Sequence, residues 1–220
     1  MLIRTSQRAA VATVAVAGLT LTATSAHAQN LLTSPGFELS DNTVETGGPP
    51  TGWNGFGANF VNQVLPRTGD NAFKTFGTAS GVFQEFPALP GQMWEGSAWA
   101  TNPDFDPMAA DQVAAVNIEW RDAGDNLISF DTTVIVSGTA TPADSNYVLG
   151  EVSGTAPAGT TVARLVLITG AFEDQNGDGE VVGGGAPYFD DASFSLVIPE
   201  PASLGLLSLA GLGLVRRRRA

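Results

Sequence analysis

The stretch Ala114-Ala115-Val116-Asn117-Ile118-Glu119-Trp120-Arg121 decides the fold class. Val116, Ile118 and Trp120 fall on one side of an extended chain, and Asn117, Glu119 and Arg121 on the other. A period of two marks a strand with one face in a core. Outward from this stretch the same period recurs in Val82–Phe86, Met93–Thr101, Leu127–Val136, Tyr147–Thr155, Thr161–Gly170 and Tyr188–Val197. In Met93–Thr101, Trp94, Gly96 and Ala98 alternate with Glu95, Ser97 and Trp99. In Thr161–Gly170 both alternating sets are largely apolar, which predicts a strand buried on both faces. In the last strand Tyr188, Asp190, Ala192, Phe194 and Leu196 share the core side. The 26 Gly and 13 Pro punctuate these segments. Short strands broken by turn residues predict an all-β fold, a single antiparallel β-sandwich.

Charge is spread unevenly. All but one of the 22 acidic residues (the exception is Glu200) lie between Gln29 and Ile198, where the only cations are Arg67, Lys74, Arg121 and Arg164. The body is therefore more acidic than the overall net charge of −12. Such a surface repels phosphate backbones, which argues against nucleic acid as a partner. The chain has no cysteine, so a disulfide framework is excluded. Its one histidine, His27, precedes the body, which excludes Ser-His-Asp and Cys-His chemistry and histidine metal ligands there. A glycosidase needs two opposed carboxylates, one with a raised pKa. A body so rich in acids always offers some pair, so acids alone say little. A short body without large loop insertions predicts a protein that is not an enzyme.

The two ends read as targeting segments. Arg4 and Arg8 precede an apolar run, and Ala26-His27-Ala28 follows it. This is the order of a secretory signal, residues 1–28, cleaved before Gln29. The body is 29–197. Residues 198–220 hold Pro199-Glu200-Pro201, an apolar stretch from Ala202 to Val215, and Arg216 to Arg219. That stretch falls short of the roughly 20 residues that span a bilayer comfortably, and the arginines hold the end on the cytoplasmic side.

The triplet Pro199, Glu200 and Pro201, the apolar run and the terminal arginines together resemble the PEP-CTERM sorting signal. The resemblance implies recognition by an exosortase-type protease and transient insertion of the tail in the inner membrane. It also implies delivery to the envelope or the extracellular polysaccharide matrix of a Gram-negative bacterium. The body resembles the galactose-binding-like jelly roll of carbohydrate-binding modules. The pieces carrying that likeness, in order, are Ser34-Pro35-Gly36-Phe37-Glu38, Gly52-Trp53, Arg67-Thr68-Gly69, Val82-Phe83-Gln84, Pro90-Gly91 and Tyr188-Phe189-Asp190-Asp191. What this implies is an exported, non-catalytic protein associated with exopolysaccharide. The alternative is an acidic matrix protein that adheres through calcium bridges.

Three candidate sites follow. Asp190 falls on the core side of its strand, where a carboxylate is costly unless paired or coordinated. The jelly-roll resemblance places a structural calcium ion between Glu38 and Asp190, with Asp191 as the second choice and carbonyls near 70–72 completing the shell. Second, Asp174, Asn176 and Asp178 have the spacing of the first half of a calcium loop. The twelfth position is Gly185 where the full loop has Glu, and a polar hairpin loop has the same composition. Third, Trp99 faces away from the core, as do Asn117, Glu119 and Arg121. If those strands are neighbours, a flat apolar ring lies beside polar partners, which is what a sugar requires.

Overall fold

In the computed structural model, residues 29–40 and 47–198 are described, and the leader and the Pro199-Glu200-Pro201 tail lie outside them. Eight strands follow one another: β1 (Asn54–Asn62), β2 (Ala72–Pro87), β3 (Met93–Thr101), β4 (Gln112–Arg121), β5 (Leu127–Ser137), β6 (Val148–Thr155), β7 (Val162–Ala171) and β8 (Tyr188–Val197). The fold is all-β, and every pairing is antiparallel. No helix among the described residues is long and apolar enough to cross a membrane.

The strand order is β5-β4-β7-β2-β8-β3-β6, with β1 on β2. The 16-residue β2 serves both halves of this order. Its end, Ala79–Pro87, pairs with β7, while Phe73 and Lys74 pair with β8. One layer is thus β5-β4-β7-β2-β1 and the other is β8-β3-β6 with the start of β2. They form the antiparallel sandwich expected from the alternation, with the jelly-roll architecture that the resemblance implies.

The core lies between the layers, and the alternating residues supply it. Val116, Ile118 and Trp120 from β4 are buried, as are Trp94 and Ala98 from β3 and Leu165 and Leu167 from β7. Trp94 stacks on Phe194 with ring centroids 4.9 Å apart. Gly96 must be small: a Cβ there would meet Leu165 Cδ1 at 2.5 Å and Phe194 at 3.4 Å. Trp120 donates its Nε1–H to Asp131 Oδ2 at 2.8 Å, so its one polar atom is satisfied. Ile118→Val should lower unfolding stability by about 1 kcal/mol in denaturant titration, with an unchanged slope.

The sequence alternation missed β1 and the first half of β2. β1 contains Asn54, Gly55, Gly57, Asn59 and Asn62, which blur the period. Its register with β2 shifts between Phe56 and Ala58. Gly57 sits at that bulge with φ +66°, and a Cβ there would lie 2.5 Å from the Ala79 carbonyl oxygen.

Candidate functional site

The expected cation site is a junction of three segments. The N-terminal segment runs beside β8, with the Leu31 N–H donating to the Phe194 carbonyl and the Ala192 N–H to the Pro35 carbonyl. That brings Glu38, Asp190 and Asp191 around Gly36: a Cβ on Gly36 would lie 3.4 Å from Asp191 Oδ1, 3.8 Å from Asp190 Oδ1 and 3.9 Å from Glu38 Cγ. The residues singled out in the sequence do converge. Their oxygens, however, face hydrogen donors. Asp190 Oδ2 accepts the N–H of Arg67 (2.8 Å) and Thr68 (3.1 Å), and its Oδ1 accepts the Asp191 N–H. Glu38 accepts the N–H groups of Asp70 and Asn71. Asp191 pairs with the Arg67 guanidinium at 2.5 Å and the Thr68 hydroxyl at 2.7 Å. Among the described residues no group of three or more acidic side chains is disposed to hold a metal ion. As arranged, these carboxylates clamp the 67–71 loop.

This clamp carries strain and a perturbed acid. Ser34 (φ 50°), Phe37 (φ 62°) and Asp191 (φ 44°) all adopt left-handed backbone. Asp190 is fully buried. Burial pushes its carboxyl up to about 6, against the pull of the N–H groups of Thr68, Arg67 and Asp191. Burial first, and then the Asp190 charge, also raise the nearby Tyr147 hydroxyl above its ordinary range. Tyr147 donates that hydroxyl to the Leu65 carbonyl at 2.7 Å.

Trp99 belongs to this clamp. The Arg67 guanidinium carbon lies 3.7 Å from the centre of its ring, so the platform is covered. The proposed grouping with β4 does not form either. β3 pairs with β6 and β8, and β4 with β5 and β7, so the two strands sit in opposite layers. Their outward faces point away from each other. Glu119 and Arg121 are tied up at one end of their face. Glu119 Oε2 accepts from Arg121 Nε (2.9 Å) and Arg164 Nη1 (3.5 Å), and both arginines also hold Asp125. Arg164 is further paired with Glu85 and lies 4.2 Å over the Phe83 ring.

The loop after β7 holds the second expected cation site. Asp174, Asn176 and Asp178 turn their oxygens onto their own loop. Asp174 accepts the N–H groups of Gly177 (2.6 Å) and Gly179 (2.8 Å). Asn176 accepts the Asp178 N–H, and Asp178 accepts the Glu180 N–H and the Asn176 amide. The loop is pinned from beneath by Asp111, which the sequence analysis did not single out. Its carboxylate accepts the N–H groups of Gln175 (2.7 Å), Asn176 (3.2 Å) and Val182 (2.8 Å). The Val182 N–H foremost holds the Asp111 carboxyl below the usual range, against the opposing effect of burial. Gln112 adds another bond, its side-chain oxygen accepting the Gly184 N–H.

Pinned in this way, the loop forms one wall of a groove of about 390 Å³ on the outer face of β5-β4-β7. The sheet register assembles that face in rows. Thr132, Asn117, Val166 and Phe83 make one row, and Val134, Ala115, Ile168 and Gly81 the next. Phe130, Val134 and Phe172 stand about half exposed along it. Phe172 folds back over Gly170, where a Cβ would lie 2.3 Å from its ring. Thr132 donates its hydroxyl to Asn117 Oδ1 at 2.5 Å, which fixes the side-chain amide that Asn117 contributes to the groove lining. Gln175 and Glu173 complete the polar side. Of the expected sugar-contact residues, only Asn117 lines this groove. A second depression, on the outer face of β8-β3-β6, has Glu95, Glu151 and four serines but no aromatic ring. The groove therefore has the chemistry that fits a sugar: ring faces for C–H groups and amides for hydroxyls.

A family model, the PEP-CTERM protein-sorting motif, matches residues 197–219. The C-terminus thus carries the sorting motif read from Pro199, Glu200 and Pro201, and the chain is marked for export with transient membrane anchoring before processing. No curated protein matches the chain. Among solved structures it is similar to TmCBM61, solved with beta-1,4-galactotriose, at 16% identity and TM-score 0.46, covering 77% of this chain and 99% of that one. It is similar to the CBM22-2 xylan-binding domain from Paenibacillus barcinonensis Xyn10C at 16% identity and TM-score 0.43, covering 68% and 94%. It is also similar to the active domain of tailspike protein 4 of bacteriophage CBA120, at 13% identity and TM-score 0.45, covering 66% of this chain but only 19% of that one.

Proposed function

We propose that this is an exported, non-catalytic surface or matrix protein that associates with polysaccharide through the β5-β4-β7 groove. One observation carries the reading: Phe130 on β5 and Phe172 just past β7 stand exposed along the same groove as the Asn117 amide. Exposed rings next to fixed polar groups suit a sugar better than they suit water. A non-catalytic role is supported by the chemistry of the site. Among the described residues the one carboxyl pushed up to about 6 is Asp190. It is sealed under N–H groups in the clamp, outside the groove lining. A glycan array probed with the full chain should give a signal that Phe172→Ala removes; an unchanged signal would reject the groove as the site.

A second reading rests on charge. Each of Arg67, Lys74, Arg121 and Arg164 is already paired with an acid. Among the described residues most carboxylates have no cationic partner, which leaves them free to be bridged between molecules by calcium. That reading makes the protein an acidic adhesive without sugar selectivity. It is separated from the first by light scattering: calcium-dependent self-association without saturable glycan binding would favour it.

A further inference from the structure

We infer that the groove selects glycan chains free of acidic substituents and rejects polymers bearing carboxylate, sulfate or phosphate; the inference rests on the polysaccharide reading above. Recognition of an acid calls for a free guanidinium or ammonium within hydrogen-bond reach. The groove's face has two guanidiniums, Arg121 and Arg164, at the end where Phe130, Glu119, Arg164 and Glu85 form one row. Both are spent. Arg164 is held by Glu85, Glu119 and Asp125, and Arg121 by Glu119 and Asp125. Two cations thus face three acids, and the groove adds the carboxylate of Glu173. An incoming acid meets net negative charge and no vacant cationic donor.

The donors that remain are uncharged. Asn117 and Gln175 line the groove with side-chain amides, whose N–H groups serve hydroxyl and acetamido oxygens without a charge to balance. Screening at physiological salt acts little over so short a range, because Phe130, which lines the groove, is the cross-strand partner of Glu119 in the arginine cluster. The cations elsewhere on the body, Arg67 and Lys74, are paired as well, with Asp191 and Asp106. Long-range steering therefore also disfavours a polyacid.

The test is affinity electrophoresis of the full chain through gels containing cellulose derivatives, agarose or dextran as neutral polymers, and alginate or pectate as acidic ones. The expected result is retardation by at least one neutral polymer, changing less than about twofold between low and high salt, and none by the acidic ones. Glu173→Lys, which places a free ammonium in the groove, should gain retardation by alginate. Retardation of the unmodified chain by alginate or pectate, lost in Phe130→Ala, overturns the inference while leaving polysaccharide binding in place. No retardation by any polymer overturns the polysaccharide reading, and this inference with it.

Discussion

Lowering the pH from 7 to 5 in the presence of chelator is expected to raise the melting temperature, and Asp190 is expected to carry most of the rise. The cause is Asp190. Its carboxyl is fully buried and pushed up to about 6, above the 3.8 of an exposed aspartate. A group whose folded pKa is raised binds its proton more tightly in the native state than in the unfolded one. Its charged form therefore costs stability at neutral pH, and that cost is relieved as the pH falls through about 6 toward 4. The full relief, reached below pH 3.8, is roughly 3 kcal/mol; by pH 5 about 1.3 kcal/mol of it is realised, or very roughly 3–5 °C for a body of this size. Asp190→Asn should abolish most of the rise. It also misplaces one amide against an N–H group of the clamp, so it is not a simple rescue. A cation beside Asp190 reverses the sign, because it favours the charged carboxylate. A melting curve that falls between pH 7 and 5 in chelator contradicts this account of Asp190; without chelator, a climb of several degrees on adding calcium at pH 7 favours the cation reading of Glu38, Asp190 and Asp191.

Asp111→Ala should detach the loop after β7 and with it one wall of the groove. Three N–H groups, of Gln175, Asn176 and Val182, lose their acceptor together. Because the rest of the loop is exposed, the cheapest response is for the loop to open to water rather than for the sandwich to unfold. Amide hydrogen exchange at 175–182 should accelerate strongly, and a protease should nick the loop. Glycan binding should fall at least about tenfold, since Phe172 and Gln175 no longer hold their places. Asp111→Asn keeps an acceptor for one side of the loop only and should be intermediate. The Asp111 pKa is lowered in the fold. Its contribution is therefore present above pH 3.8 and lost as the pH falls through the lower folded value, so mild acid leaves the loop closed. Unchanged exchange in Asp111→Ala would show that the Asx turns of Asp174 and Asp178 suffice.

How much of this was legible follows from the physics of each segment. Alternation over Met93–Thr101 and Tyr188–Val197 gave strands with the observed boundaries, because one face of each is continuously buried. The same alternation placed Asp190 inside. It could not supply the donors that satisfy it, since those are backbone N–H groups of a distant loop. Trp99 was correctly placed facing away from the core, yet alternation is blind to Arg67 arriving from another segment to cover it. Placing Trp99 beside Asn117 required consecutive strands to be neighbours, and in this sandwich β3 and β4 belong to different layers. The signal for Phe130, Thr132 and Val134 was present in β5, where the three alternate, but it takes the β4 register to put them beside Asn117. Phe172 had no signal at all: its place depends on the bare surface of Gly170 and on a loop held by Asp111.

The central claim is most directly tested by calorimetric titration of a glycan that the chain binds, comparing it with the Phe130→Ala/Phe172→Ala double variant and with Trp99→Ala. Removing the two exposed rings should weaken binding by about tenfold or more without changing the fold, and Trp99→Ala should bind as the unmodified chain does. Binding that survives the double variant, or that disappears in Trp99→Ala alone, would contradict the account.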